Sequence, residues 1–210
     1  MAISLKKGER VSLTKDNPGL SKIMIGLGWD PATKEEGGKK KGFLASLFGG
    51  DDDSGRPRKD FDLDASVFVL KNDKLVDKGD IVYYGHLKHS SGAIIHQGDN
   101  LTGEGEGDDE NILVDLSNIP LSYNKLVFVV NIYSATARGQ HFGMVNNSYI
   151  RIVDQSNNTE ILRYNLQDKY DGKIAMIFGE IYKKDGEWKF NAVGEGTDDG
   201  SISKLADRYR

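Results

Sequence analysis

The residues best suited to chemistry lie between Gly98 and Glu110, where six carboxylates occur within twelve residues and no basic side chain interrupts them. These carboxylates are Asp99, Glu104, Glu106, Asp108, Asp109 and Glu110. The interspersed glycines favour a bendable loop over a helix or a packed strand. Like charges about 6 Å apart in water repel by roughly 0.7 kcal/mol, so a cation would draw such a loop together. Hard oxygen ligands on a bendable loop suit calcium, and the loop is therefore predicted to bind Ca²⁺.

A second acidic pair, Asp62 and Asp64, stands just before an apolar run. The two residues are two positions apart, so both carboxylates point the same way in an extended segment. Taken alone, the pair is explained by a solvated strand entry in which aspartate favours a turn. Beside the acidic loop, a metal-binding role becomes the stronger interpretation. Together the two segments offer enough oxygens for one calcium ion, or for two neighbouring ions that share carboxylates.

Composition restricts the classes of protein to which the chain can belong. The 210 residues carry a net charge of −4, and without the six loop carboxylates the sum would be +2, so the acidity is local. A nucleic-acid binder would need a basic face, and no apolar run approaches the roughly 20 residues of a membrane span. Cysteine is absent, which excludes disulfides and thiolate metal sites. The N-terminal residues lack a secretory signal, so we expect a cytoplasmic protein.

The elements that must position these carboxylates are predicted to be strands. Ten short runs rich in Val, Ile, Phe and Tyr alternate with Gly, Asp and Asn turns, which is typical of strands and predicts an all-β sandwich of two sheets with few short helices. The runs cover 22–27, 65–70, 81–84, 93–96, 112–116, 126–133, 149–153, 160–164, 175–182 and 187–193. Asp185-Gly186 predicts a hairpin turn. Residues 203–210 predict a short terminal helix, and 145–147 predict a turn.

One segment breaks this pattern of strands and turns. Residues 34–60 are rich in glycine and in charges of both signs, and predict a flexible insertion within one domain that spans 1–210. Phe43, Leu44, Leu47 and Phe48 lie there between a basic and an acidic flank. An amphipathic anchor for a membrane or partner would have this charge pattern. Because the apolar stretch is short, a loop that folds back on the domain is the better interpretation.

Several motifs together resemble the TerD family of tellurium-resistance and general stress proteins. They are GLGWD at 26–30, DFDLDASVFVL at 60–70, GDNLTGEGEGDDE at 98–110, NIYSATARGQHFGMVNNSYIRIVD at 131–154 and AMIFGEIYKKDGEWKFNAVGEG at 175–196. The resemblance covers nearly the whole chain except 34–59. It implies a β-sandwich that binds calcium through acidic loops.

The resemblance also extends the set of site residues and suggests partners. Asp30 matches the aspartate of the family's GWD element, and Asn100 and Thr102 match its GDN-x-TG element together with Asp99. Glu106 stands where the family is expected to have aspartate, which lengthens the side chain by one methylene without removing an oxygen. Partners implied by the family are other stress-operon proteins or a membrane-associated complex. Self-association is left open.

The sequence favours a calcium-dependent, non-enzymatic binding or scaffolding module over an enzyme. The alternative is a hydrolase or phosphoryl-transfer enzyme that holds Mg²⁺ or Mn²⁺ in the acidic cluster. Catalysis needs rigidly placed groups, and a glycine-rich acidic loop provides few of them before metal binds. No nucleophile elbow or phosphate-binding loop is present. His86, His89 and His96 fall close together but without the spacing of a known metal site.

Overall fold

A computed structural model of the chain describes residues 2–31, 61–98 and 107–210. The predicted insertion at 34–60 lies outside these ranges, so its predicted character is not addressed by the structure. Five of the predicted metal ligands also lie outside them: Asp99, Asn100, Thr102, Glu104 and Glu106.

Twelve strands, two short α-helices and two 3₁₀ helices (Lys78–Asp80 and Phe142–Met144) make up the regular structure of the described residues. The strands are β1 (Ile3–Leu5), β2 (Arg10–Ser12), β3 (Lys22–Pro31), β4 (Leu63–Leu70), β5 (Ile81–Val82), β6 (Ile94–His96), β7 (Glu110–Asp115), β8 (Lys125–Ile132), β9 (Val145–Asp154), β10 (Thr159–Asn165), β11 (Ala175–Lys184) and β12 (Glu187–Thr197). The helices are α1 (Ala135–Arg138) and α2 (Ile202–Asp207). Within these ranges no helix has the length and apolar character needed to cross a bilayer.

The strands form two six-stranded sheets, which confirms the predicted sandwich. Sheet A has the order β1-β10-β9-β3-β7-β6, and sheet B has the order β2-β12-β11-β8-β4-β5. All neighbouring strands are antiparallel except β1 and β10, which run parallel. β1 and β2 are consecutive in the chain but pair at edges of different sheets, so the N-terminal residues join the two sheets along one side.

The main core lies between the sheets, and a second apolar layer covers the outer face of sheet B. In β4 the side chains of Leu63, Ala65 and Val67 point into the main core, whereas those of Phe68 and Leu70 join Leu205 of α2 on the other side. β4 and β8 are thus covered on both faces, which explains why their sequences are almost continuously apolar. Successive residues of these strands therefore face different surroundings.

Most of the predicted elements are present, and one prediction is wrong. Each of the ten apolar runs contains or overlaps a strand, the terminal helix is present as α2, and Asp185 (φ 56°) and Gly186 (φ 81°) form the predicted hairpin turn. The turn predicted at 145–147 is instead the start of β9. Asn147 there has φ of 52°, a turn-like conformation accommodated inside a strand where the register with β3 shifts.

Candidate metal site

Two glycines of β3 leave space on the outer face of sheet A for the side chains of Asp108 and Tyr149. Ile25, Leu27 and Trp29 point into the core, so Gly26 and Gly28 face outward. A Cβ atom on Gly26 would collide with the Asp108 carboxylate, and one on Gly28 would collide with the ring of Tyr149. The glycines of the GLGWD sequence therefore allow these two side chains to lie directly across the strand.

Asp108 is held on this outer face by a two-pronged salt bridge. Arg151 Nε donates to Asp108 Oδ1 at 2.7 Å and Arg151 Nη2 donates to Oδ2 at 2.8 Å. The Tyr149 hydroxyl lies 3.0 Å from Asp108 Oδ1 and 2.7 Å from the Gly107 carbonyl oxygen. Burial and the Asp108 charge raise the pKa of Tyr149 to about 12, so it stays a hydrogen-bond donor. This predicted ligand thus has both oxygens bound by the protein itself.

Asp109 and Asp30 form a second carboxylate group beside the loop. Asp109 Oδ2 accepts a hydrogen bond from the Trp29 N–H at 2.7 Å, and Asp30 Oδ2 accepts one from Asn147 Nδ2 at 2.7 Å. Burial raises the pKa of Asp109, and the negative charges of Asp30 and Asp108 raise it further. Among the described residues, neither Asp109 nor Asp30 has a salt-bridge partner.

Glu110 points into the core and connects the two sheets. Its side chain is fully enclosed, and its Oε2 atom accepts a hydrogen bond from the Ala65 N–H at 2.6 Å. The same oxygen lies 3.4 Å from His96 Nε2. Since Glu110 starts β7 in sheet A and Ala65 belongs to β4 in sheet B, this contact sets the ends of β7 and β4 at the same end of the sandwich.

Asp62 and Asp64 lie on the side of sheet B. Asp64 is buried and accepts a hydrogen bond from Asn131 Nδ2 at 3.2 Å, while Asp62 is 3.6 Å from Arg138 Nη2. Asp64 points away from the core on the outer face of sheet B, and Asp108 points away from it on the outer face of sheet A. Packed sheets are about 10 Å apart, so these two carboxylates lie on opposite outer faces of the sandwich.

The donor set of the described residues fits calcium only in part. No three side chains of His, Cys, Asp or Glu within the described ranges are close enough together to hold a metal ion. Asp30 and Asp109 provide carboxylate oxygens of the kind that calcium takes, next to the point where the acidic loop rejoins β7. A complete shell would need further oxygens from 99–106.

A neighbouring ion cluster on sheet A gives a pH-dependent prediction. Glu160 Oε2 accepts hydrogen bonds from Arg163 Nη2 at 2.9 Å and from Arg151 Nη1 at 3.1 Å. Arg163 first, and then Arg151, lower the pKa of Glu160 below its usual value. A lowered folded-state pKa gives stability that is complete above the unfolded pKa of about 4.3 and is lost as the pH falls through the folded pKa.

We therefore expect the wild type to lose more stability on acidification than Glu160→Gln does. Urea denaturation at about pH 7 and about pH 3 measures the loss, and the difference should be about 1 kcal/mol, as for partly exposed pairs. Equal losses for the two proteins would show that the cluster contributes no linked stability.

Sequence reasoning missed the residues that bind these carboxylates. Arg151, Tyr149, Asn131 and Asn147 are far from their acidic partners in the chain and sit in strands with ordinary alternation. Only the strand register brings them into contact, as when Gly26 pairs with Arg151 and Asp64 with Asn131. The outward glycines of β3 were the one local sign of a close approach.

Comparison with known proteins identifies the family. A model of the TerD domain matches residues 1–209. The chain is 52% identical over 209 residues to stress response protein SCP2 of Bacillus subtilis (strain 168), and the match covers all of both chains. It is 42% identical to tellurium resistance protein TerD of Serratia marcescens over 98% of this chain and 96% of that protein.

Solved structures support the fold. A crystal structure of a homologue of telluride resistance protein (TerD) from Streptomyces coelicolor A3(2) superposes with a TM-score of 0.63 at 19% identity, covering 91% of this chain and 99% of that one. The sandwich, the match along nearly the whole sequence and the similarity to these relatives agree. The chain belongs to the TerD family, whose members are named as stress response and tellurium resistance proteins.

Proposed function

We propose that this protein is a calcium-binding stress-response module that acts without catalysis, and that the acidic loop between β6 and β7 is its metal site. In this proposal Asp30 and Asp109 supply fixed carboxylates, and Glu104 and Glu106 are the first candidates for the remaining oxygens. Bound calcium would neutralise the loop and leave a surface suited to docking a partner. Family membership supports the stress-response role, through the names of the relatives.

The observation that carries the proposal is the Asp30–Asp109 pair. Two carboxylates whose charges repel, one of them partly buried, cost stability unless a cation lies nearby. Neither has a salt-bridge partner among the described residues, whereas the adjacent Asp108 does. A divalent cation would reverse the unfavourable interaction, and its hard-oxygen preference matches the donors.

Asp109→Asn tests the proposal because it removes one charge while keeping the shape and an oxygen that can accept from the Trp29 N–H. Calorimetric titration of metal-stripped protein should give a Ca²⁺ dissociation constant at least about tenfold higher than wild type, or about 1.4 kcal/mol. Metal-free Asp109→Asn should also be more stable than wild type at neutral pH, because a carboxyl with a raised folded-state pKa opposes folding once it is ionised.

A matched control is Asp16→Asn, which removes an exposed aspartate in a turn away from this site and should leave Ca²⁺ affinity unchanged. The buried Trp29, whose backbone N–H donates to Asp109, provides an optical signal when Trp188 is replaced by Phe. Absence of saturable Ca²⁺ binding, or an equal effect of both aspartate variants, would contradict the assignment.

The same titration separates this proposal from a metal-dependent enzyme. A preference for Mg²⁺ or Mn²⁺ over Ca²⁺ would favour the hydrolase alternative. The described histidines do not favour it, because their ring nitrogens serve the fold: His86 Nδ1 binds the Ile81 carbonyl oxygen at 2.7 Å, and His89 Nε2 lies 3.2 Å from Asp80 Oδ1.

A further inference from the structure

A cleft of about 540 Å³ opens between the outer face of sheet B and the start of α2, away from the acidic loop. Its floor is formed by Asp64 and Asn131, and its sides include Tyr83, Tyr84 and Tyr133. A volume of this order is typical of sites for small ligands, which combine an apolar lining with a few fixed polar groups. This cleft has the same combination.

The floor contains a buried hydrogen-bond acceptor that has no donor within the part of the chain that the structure describes. Asp64 and Asn131 pair across β4 and β8, and Asn131 Nδ2 donates to Asp64 Oδ2 at 3.2 Å. This bond fixes the orientation of the amide, because a carboxylate can accept from its nitrogen but not from its oxygen. Asn131, which is only 8% exposed, is left with an Oδ1 atom that accepts no hydrogen bond from the described residues. An unmatched buried acceptor costs about 1–3 kcal/mol, which a ligand hydroxyl would recover.

The sides of the cleft present aromatic surface to solvent. Tyr84 is 43% exposed and Tyr133 is 48% exposed, so both rings are accessible to a ligand. The rings of Tyr83 and Tyr84 pack edge to face with centroids 5.3 Å apart, which gives that side a fixed shape. Exposed tyrosine rings of this kind pack well against the C–H faces of a sugar ring, while their hydroxyls stay in water.

The charges around the cleft favour a neutral ligand. Asp64 on the floor is opposed by Lys78 at the rim, so neither a cation nor an anion meets a field of one sign. A cationic ligand is further disfavoured at Tyr133, since Arg138 already places its guanidinium carbon 5.1 Å from the centre of that ring. Arg210, also at the rim, pairs with Asp207.

We propose that this cleft binds a neutral mono- or disaccharide. Adjacent sugar hydroxyls donate to Asp64 and to Asn131 Oδ1, and a C–H face of the ring packs on the tyrosines. The hydroxyls of Ser201 and Ser203 at the rim can exchange hydrogen bonds with the outer part of the sugar. The proposal is independent of the calcium proposal, because the cleft lies on sheet B and the Asp30–Asp109 pair lies beside sheet A.

Saturation-transfer NMR tests the proposal with the full chain and a panel of glucose, mannose, galactose, N-acetylglucosamine and maltose, each in the tens of millimolar. We expect transfer to at least one sugar, unchanged when calcium is chelated. Tyr133→Ala removes an exposed ring that packs on the sugar, and Asn131→Ala removes the hydrogen-bond acceptor. Each variant should weaken sugar binding by at least about tenfold. Tyr182→Ala removes a tyrosine outside the cleft and should leave binding unchanged.

Absence of transfer to every sugar in the panel would overturn the proposal. Binding that Tyr133→Ala leaves at the wild-type level would overturn it too, because that variant does not alter the core. Binding of arginine or inorganic phosphate in the cleft, in place of sugars, would likewise show that a charged ligand is preferred. Loss of calcium binding in Asp109→Asn would have no bearing on any of these results.

Discussion

Glu110→Ala is expected to lower the free energy of unfolding by about 2–5 kcal/mol, the range seen when a large buried side chain is truncated to alanine. The Glu110 side chain is fully enclosed, accepts from the Ala65 N–H and contacts His96. Truncation leaves that N–H without its acceptor inside the core, whereas His96 Nε2 keeps the Ala65 carbonyl oxygen at 3.2 Å, and it also opens a cavity. Urea denaturation of the metal-free protein measures the loss.

Glu110→Gln is the matched control for this substitution. Glutamine keeps the length of the side chain and an oxygen that can accept from the Ala65 N–H, so its cost should be well below that of alanine. If alanine and glutamine cost the same, the hydrogen bond between the sheets would not be the source of the stability. If alanine costs less than about 1 kcal/mol, the buried contact would contribute little.

Arg151→Met is expected to cost about 2–4 kcal/mol, somewhat less than for a fully enclosed pair because Arg151 retains partial solvent access. Methionine fills a similar volume but leaves the Asp108 carboxylate, 3% exposed, without its guanidinium. Arg151→Lys keeps a positive charge but cannot donate two parallel hydrogen bonds to one carboxylate, so its stability should be intermediate. Thermal or urea denaturation would rank the three proteins.

The Asp108–Arg151 pair also predicts how calcium affinity changes when either Asp108 or Asp109 is replaced by asparagine. Both carboxylate oxygens of Asp108 already accept hydrogen bonds from Arg151, and one of them also accepts from Tyr149. Asp108→Asn should therefore reduce the stability of the fold but weaken Ca²⁺ binding less than Asp109→Asn does. An order opposite to this one would mean that calcium displaces Arg151 from Asp108. Calorimetry on the two aspartate variants, at a temperature where both are folded, decides between these outcomes.

The strands could be predicted from local pattern wherever that pattern was long. β8 and β11 could be predicted because they contain long runs of apolar and β-branched residues. β1 and β2 have only three residues each and include the polar residues Ser4, Arg10 and Ser12, so their sequences do not indicate strands. Such short edge strands depend on their neighbours more than on their own composition. The start of β9 was missed for a related reason, since Asn147 has a turn conformation within the strand.

The site could be predicted only at the level of residue type. The acidic composition of the loop identified the carboxylates, but the partner that each carboxylate contacts depends on strand pairing between residues far apart in the chain. Asp64 and Asp108 were both predicted to be metal ligands, yet one meets Asn131 in a cleft and the other meets Arg151 on the opposite outer face. Asp109 differs from Asp108 by a single position and points elsewhere, as alternation along an extended chain requires. No property of the residues alone distinguishes an anchored carboxylate from one available to metal.

The edge positions of β1 and β2 have a consequence for the order in which the molecule is assembled. Ile3 pairs with Leu162 and Val11 pairs with Phe190, so β1 and β2 are synthesised long before the strands with which they pair. Pairing between segments so distant in the chain closes large loops and slows folding. Until β10 and β12 emerge, the nascent chain keeps two strands unmatched, and closing both sheets becomes a late event of folding.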